Sequence, residues 1–215
     1  MRAGPVVLLA DSQLLLNTSK GKLLSQWVKQ CLMERVYEER ERRALYLGAA
    51  NGNIDDFYQM AVTICTGWNI TSVTNGVVPE VFVEQSPDDF DLVILAGGDV
   101  GIGWQFLSQH TVRAWLEYFT QGEGLIIGIS AGAIHLASTV EVNTITEREF
   151  LAFVSAHVAV HEEQLSWPTR QVWAGIASGS SRADMYCIPF GGGVAIKNGI
   201  HQPVGKGVDV FVGRL

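Results

Sequence analysis

Short, continuous apolar runs alternate with stretches of helical periodicity along most of this chain, and that alternation limits its fold more than any other feature. Residues 6 to 10 (VVLLA), 44 to 47 (ALYL), 92 to 96 (LVILA) and 125 to 129 (LIIGI) read as strands buried on both faces. Between them, Leu23, Leu24, Trp27, Val28, Cys31 and Leu32 recur at helical spacing on one face. A second helix is predicted from about residue 54 to 65, and a third carries Val112, Trp115, Leu116 and Phe119 on its apolar side. Residues 70 to 73 and 81 to 84 are weaker strand candidates. The pattern predicts an α/β fold, a largely parallel sheet flanked by helices on both faces. The last third is strand-rich: residues 154 to 160, 185 to 188, 194 to 196 and 208 to 212 read as strands joined by Gly-rich turns, so an antiparallel extension of the sheet is expected there. At 215 residues and 47% apolar composition, a single domain over residues 1–215 can bury a full core.

Charge excludes some partners. A formal net charge of -7 argues against nucleic acid, whose binders carry a basic stripe. Arg35, Arg40, Arg42 and Arg43 are interleaved with Glu34, Glu38, Glu39 and Glu41, a mixture expected of a solvated helix end and its connector. The opening residues lack the long apolar stretch of a secretory signal, and no apolar segment approaches the roughly 20 residues needed to cross a bilayer. A cytoplasmic location without membrane contact is therefore expected. Cys31, Cys65 and Cys187 are widely spaced and odd in number, which fits small buried hydrophobes in a reducing compartment.

The chemistry-bearing motif is G-I-S-A-G, residues 128 to 132, placed after the apolar run at 125 and before a helix-like stretch from 131 to 138. A serine on such a strand-to-helix turn projects its hydroxyl from the carboxyl end of a sheet, beside the N–H of the next residue. Ser130 is accordingly the candidate nucleophile, with an ordinary Gly-flanked turn as the alternative. Ligands of open parallel sheets gather at strand carboxyl ends, which singles out two further loops, residues 48 to 53 (GAANGN) and 97 to 103 (GGDVGIG). The second matches neither phosphate-binding glycine pattern, and no lysine follows its glycines. A backbone donor from Gly98 or Asp99, paired with Ala131 N–H, would instead stabilise an oxyanion formed at Ser130. The competing reading is a Gly-rich turn needed only for packing.

A serine needs a base. Among five histidines, His110 falls on an exposed helical stretch, His135 points away from Ser130 within the following helix, and His201 sits in a Gly/Pro-flanked turn. Residues 153 to 163 read as a strand ending at His161, which puts an imidazole where it can reach a neighbouring loop. His157 shares that strand face roughly 13 Å back, so only one of the pair can serve, and the two are too far apart to share a metal ion. Glu141, Glu147, Glu149, Glu162 and Glu163 are all candidates to orient the imidazole, and no spacing selects one.

Several blocks in order resemble peptidase family S51, the serine peptidases that include aspartyl dipeptidase (peptidase E) and cyanophycinase. They are V-L-L-A-D-S followed by G-K-L-L-S-Q-W, then L-Y-L-G-A-A-N-G-N-I-D-D-F-Y, L-V-I-L-A-G-G-D-V, G-I-S-A-G-A and C-I-P-F-G-G-G-V-A-I. The resemblance implies a class I glutamine amidotransferase-like fold, Ser130 as nucleophile, Gly98 and Ala131 as oxyanion donors, and His161 as base, with His157 chosen by a shifted register. The chain departs from the family in two places: Ile145 stands where an aspartate is usual, between Glu141 and Glu147, and Phe190 and Gly191 stand where relatives often place acidic residues. The expected activity is hydrolysis of small peptides, dipeptidase-like, with an acidic first residue as the implied preference. No metal or organic cofactor is required. The rival expectation is a non-catalytic domain of the same fold that binds a small metabolite or a protein partner; a glutamine amidotransferase proper would carry cysteine at the turn. The oligomeric state is left open.

Overall fold

The computed structural model describes residues 4–16, 19–34, 40–176 and 183–213. Strand β1 (Val6–Leu9) leads into the short helix α1 (Gln13–Leu16) and then α2 (Lys22–Glu34). β2 (Arg43–Leu47) is followed by α3 (Asp55–Thr66), β3 (Ser72–Asn75), the single turn α4 (Val81–Glu84) and β4 (Leu92–Leu95). Helices α5 (Val100–Leu107) and α6 (His110–Gln121) lead to β5 (Leu125–Ile129) and the short α7 (Ala131–His135). After them come β6 (Ser138–Glu141), β7 (Thr146–Glu149), β8 (Ala156–Val160) and α8 (Pro168–Ile176). The described chain closes with β9 (Asp184–Ile188), β10 (Gly192–Lys197), β11 (Ile200–Gly205) and β12 (Asp209–Phe211).

Seven of these strands form one sheet in the order β11-β10-β1-β5-β4-β2-β3. From β1 to β3 every pairing is parallel, so β1, β2, β4 and β5 all end on the same edge. That edge carries the site. The apolar runs are continuous because alternate residues serve opposite faces: Val6, Leu8, Leu45, Val93 and Ile126 pack toward α5, α6 and α7, while Val7, Leu9, Ala44, Ile94 and Ile127 pack toward α2 and α3. Burying each such side chain contributes about 1.5–3 kcal/mol. In α6 the buried set Val112, Trp115, Leu116 and Phe119 keeps the predicted stripe. In α2 the stripe is narrower than its periodicity suggests. Leu24, Val28, Cys31 and Leu32 are buried, Trp27 is partly buried, and Leu23 is exposed.

Several boundaries and one element type differ from the sequence reading. Residues 81 to 84 form a helical turn, not a strand: Phe82 and Val83 donate N–H bonds back to Pro79 and Glu80, and burying Phe82 edge-on against Trp115 (5.5 Å between centroids) decides the conformation. The strand sought at 70 to 73 lies at Ser72–Asn75, and the helix after Ser130 ends at His135 because Ser138 already belongs to β6. The C-terminal third divides between two sheets. β10 extends the large sheet antiparallel to β1 and β11 pairs antiparallel to β10, the antiparallel extension expected, whereas β9 and β12 join β8, β6 and β7 in a five-stranded sheet of order β12-β9-β8-β6-β7. Side chains of this second sheet, such as Val158, Val160, Tyr186 and Ile188, merge into the core above the large one.

Within the mixed-charge run, residues 35 to 39 lie outside the described residues. Arg40 is not merely solvated. Its guanidinium holds the buried Asp91 carboxylate bidentately, both bonds at 3.0 Å, and Arg43 N–H completes the set. The three cysteines are free and buried. Among the described residues no helix is long and apolar enough to cross a membrane.

Candidate active site

Ser130 sits at the end of β5 with φ 52° and ψ -112°, a backbone conformation that a residue with a Cβ adopts only at a cost of about 1–3 kcal/mol. The surroundings force it. Ser130 N–H donates to Leu9 O at 2.8 Å, tying the turn to the end of β1, while Ser130 O accepts from Ala133 and Ile134 to start α7. The flanking glycines allow the turn to be this tight: a Cβ on Gly128 would lie 2.4 Å from Gly132 O. The side chain is half-buried, so its hydroxyl stays within reach of a ligand.

His161 arrives from the second sheet. It is the first residue beyond β8, has φ 45°, and is pinned by its N–H to Ile188 O at 2.9 Å. Its Nε2 lies 2.9 Å from Ser130 Oγ. The ring stacks on Phe190, which follows the neighbouring β9, with centroids 5.0 Å apart and planes 24° apart. Phe190 is held in turn by its N–H donating to Glu163 Oε1 at 3.1 Å. Asp11, at the end of β1, accepts from Gly191 N–H at 2.6 Å and fixes the same turn.

The other polar candidates have different occupations. His157 is buried within β8, with Nε2 3.9 Å from Glu147 Oε1, and does not line the cavity at Ser130. His135 is buried with Nε2 2.8 Å from Val100 O; burial lowers its pKa, partly opposed by that carbonyl. His110 is exposed at the start of α6, and His201 lies on β11 against the Tyr186 hydroxyl. Glu162 accepts from Thr169, and Glu141 pairs with Arg148, which together with Thr144 holds its carboxyl below the ordinary range. Glu149 is exposed, and Ile145 occupies the exposed tip between β6 and β7. Among the described residues no carboxylate hydrogen-bonds His161, and no group of three or more His, Cys, Asp or Glu side chains could hold a metal ion.

The Gly-rich loop after β4 splits in function. Asp99 caps α5 through Oδ1 to Ile102 N–H (2.8 Å) and donates its own N–H to Ala50 O (2.7 Å). That donor is committed to joining the loops after β2 and β4, and Asp99 does not line the cavity. Gly98 does line it; its φ of +144° and the 2.0 Å separation that a Cβ would have from Ala50 O leave no room for another residue. Ala131 is buried directly behind Ser130 as the first residue of α7, a position whose N–H has no partner within the helix. The cavity itself measures about 350 Å³ and is bounded by strand ends: Ala10 and Asp11 after β1, Asn51 after β2, Gly97 and Gly98 after β4, Ser130 after β5, His161 after β8 and Phe190 after β9. Glu163, one of the five acids considered for orienting the imidazole, instead accepts from Phe190 N–H. Sequence reasoning did not anticipate Asp11, two residues beyond β1, or the apolar wall from α3.

No protein-family model matches the sequence, and no curated protein matches it by sequence. Solved structures do match in shape. A peptidase from an acI-B1 Actinobacterium superposes with a TM-score of 0.77 at 16% identity, over 99% of this chain and 92% of that one. The chain has a peptidase E-like fold. A protein from Listeria monocytogenes EGD-e, provisionally described as peptidase E, shares it with a TM-score of 0.64 at 12% identity, over 95% of this chain and 100% of the other. A peptidase E-like fold here means a mainly parallel sheet flanked by helices with further strands in the C-terminal part, as described above.

Proposed function

We propose that the chain is a serine peptidase that hydrolyses small peptides in the manner of a dipeptidase. The observation that carries this reading is the 2.9 Å approach of Ser130 Oγ to His161 Nε2 at a strained strand-to-helix turn. The peptidases among proteins of like fold support it. In this scheme Ser130 Oγ attacks the scissile carbonyl carbon as its proton passes to His161 Nε2. The N–H groups of Gly98 and Ala131 receive the oxyanion; the Asp99 N–H is excluded because it serves Ala50 O. Collapse of the tetrahedral intermediate breaks the C–N bond, and the leaving amine takes the proton from His161. Water then adds to the acyl-serine ester by the same route in reverse, releasing the acid and restoring the hydroxyl.

A panel of dipeptides assayed with the native chain and with Ser130→Ala tests the scheme. Loss of about 10⁴-fold or more is expected in the variant; equal hydrolysis by both removes Ser130 from the mechanism. The lack of a carboxylate hydrogen-bonded to His161 among the described residues favours a second reading, a non-catalytic domain that binds a small metabolite or a protein partner. A fluorophosphonate adduct on Ser130 counts against that reading, and an unreactive Ser130 beside saturable ligand binding favours it.

A further inference from the structure

The cavity that opens beside Ser130 has mainly apolar walls. Phe57, Met60 and Ile64 of α3 face Leu15, Ile94 and Phe190 around the space next to the hydroxyl. Its volume of about 350 Å³ falls at the small end of ligand sites, which run from about 300 to 1,000 Å³. Among the described residues neither Lys nor Arg lines it, and its carboxylate, Asp11, carries the wrong sign for an acidic guest. Lys22 and Lys29 line a separate cavity that shares the lining residues Leu15 and Ile64 with this one.

A carboxylate side chain drawn into such walls would lose its hydration without gaining a Lys or Arg partner among the described residues. An apolar side chain would lose nothing of the kind. It would also cover apolar surface that the chain leaves in water, since Phe57 and Phe190 are 42% and 45% exposed at the mouth. The few polar groups at the rim are largely occupied with one another: Asn51 Nδ2–H donates to the Tyr46 hydroxyl at 3.0 Å, and Asp11 accepts from Gln13 and Gly191 N–H.

Resting on the peptidase reading, we infer that the residue whose carbonyl Ser130 attacks carries an apolar side chain, aliphatic or aromatic, seated between α3 and the strand ends, and that an acidic residue is rejected there. The preference is thus opposite to the acidic one implied by the family resemblance. It comes from the helix that follows β2, whose inward residues Phe57, Met60 and Ile64 are apolar where an acid-selective wall needs a cation.

The test compares kcat/KM of the full chain for Leu-Ala, Phe-Ala and Asp-Ala. Leu-Ala and Phe-Ala should exceed Asp-Ala by about 100-fold or more; Asp-Ala turned over equally or better overturns the inference. Phe57→Arg, at an exposed position that the fold does not need, should shift the Leu-to-Asp ratio at least about tenfold toward Asp, and an unchanged ratio in a folded variant counts against the site. Calorimetric binding of the same dipeptides to Ser130→Ala separates the two readings. Selective binding of Leu-Ala and Phe-Ala, with no turnover of any of them by the native chain, upholds the cavity and removes the peptidase. Binding that does not favour them over Asp-Ala overturns the cavity assignment, whatever the turnover.

Discussion

At the scale of single residues, the site is a serine and a histidine held by backbone strain and by an aromatic face. Both Ser130 and His161 have positive φ, and each is pinned by an N–H bond to a strand carbonyl, so the geometry is preformed. Phe190 stacks on the imidazole in the absence of a hydrogen-bonded carboxylate among the described residues, and under the peptidase proposal it serves to position the ring. Phe190→Ala should lower kcat about 10- to 100-fold with KM for a slender substrate such as Ala-Ala little changed. Because the side chain is nearly half exposed, the thermal midpoint should move little, and Phe190→Tyr should restore the rate. A variant with native kcat would show that the stack is incidental. Ser130 and its glycines were legible in the sequence because a tight turn demands particular residues locally. Phe190 was not, since its meeting with His161 depends on two strands, β8 and β9, lying side by side, with α8 between them in the chain.

At the scale of elements, α7 is a short piece between the two sheets, and His135 anchors it to α5 through Val100 O. Burial depresses the pKa of this imidazole, with Arg148 adding to the effect and Val100 O and Asp99 opposing it. The unfolded chain takes up a proton there as pH falls through about 6.5, whereas the folded chain does so only at lower pH. Stability from this group is therefore complete above that value and is lost as pH falls below it, at no more than about 1.4 kcal/mol per pH unit. Urea unfolding between pH 7.5 and 5.5 should show a steeper loss for the native chain than for His135→Gln. Parallel pH profiles would show that His135 titrates alike in both states. Strands β1, β2, β4 and β5 of the large sheet were readable because burial on both faces leaves unbroken apolar runs. β6, β7 and β11 were not, as they are short, half-exposed or polar strands such as Thr146–Glu149 that carry no run and no clean alternation. The turn at 81 to 84 misled for the converse reason, since β-branched valines there serve a helical turn built around one buried phenylalanine.

At the scale of the whole molecule, packing closes over all three cysteines: Cys31 and Cys65 lie in one core of the large sheet, and Cys187 lies in a smaller cluster on the second sheet with Val140, Ala159, Trp173 and Met185. Burial pushes the thiols up to about 11 for Cys31 and about 12 for Cys65 and Cys187, so none is a thiolate at neutral pH. Labelling by a chromogenic disulfide at pH 7.5 should be slower in the native chain than in denaturant by about 10³-fold or more, since exposure requires unfolding. Rapid reaction of any one of them in the native chain would reveal local opening of its core. The sequence by itself determined the α/β alternation, the parallel strands and the serine turn, because hydrophobic period and glycine placement act over a few residues. The strand-end placement of His161 was legible too, with His157 as its alternative, but tertiary structure alone decided which N–H groups stay uncommitted and what the cavity walls are made of. Those outcomes depend on separate strand ends and α3 converging on one edge, and no local pattern records how residues 46, 57, 130, 161 and 190 come to share one space.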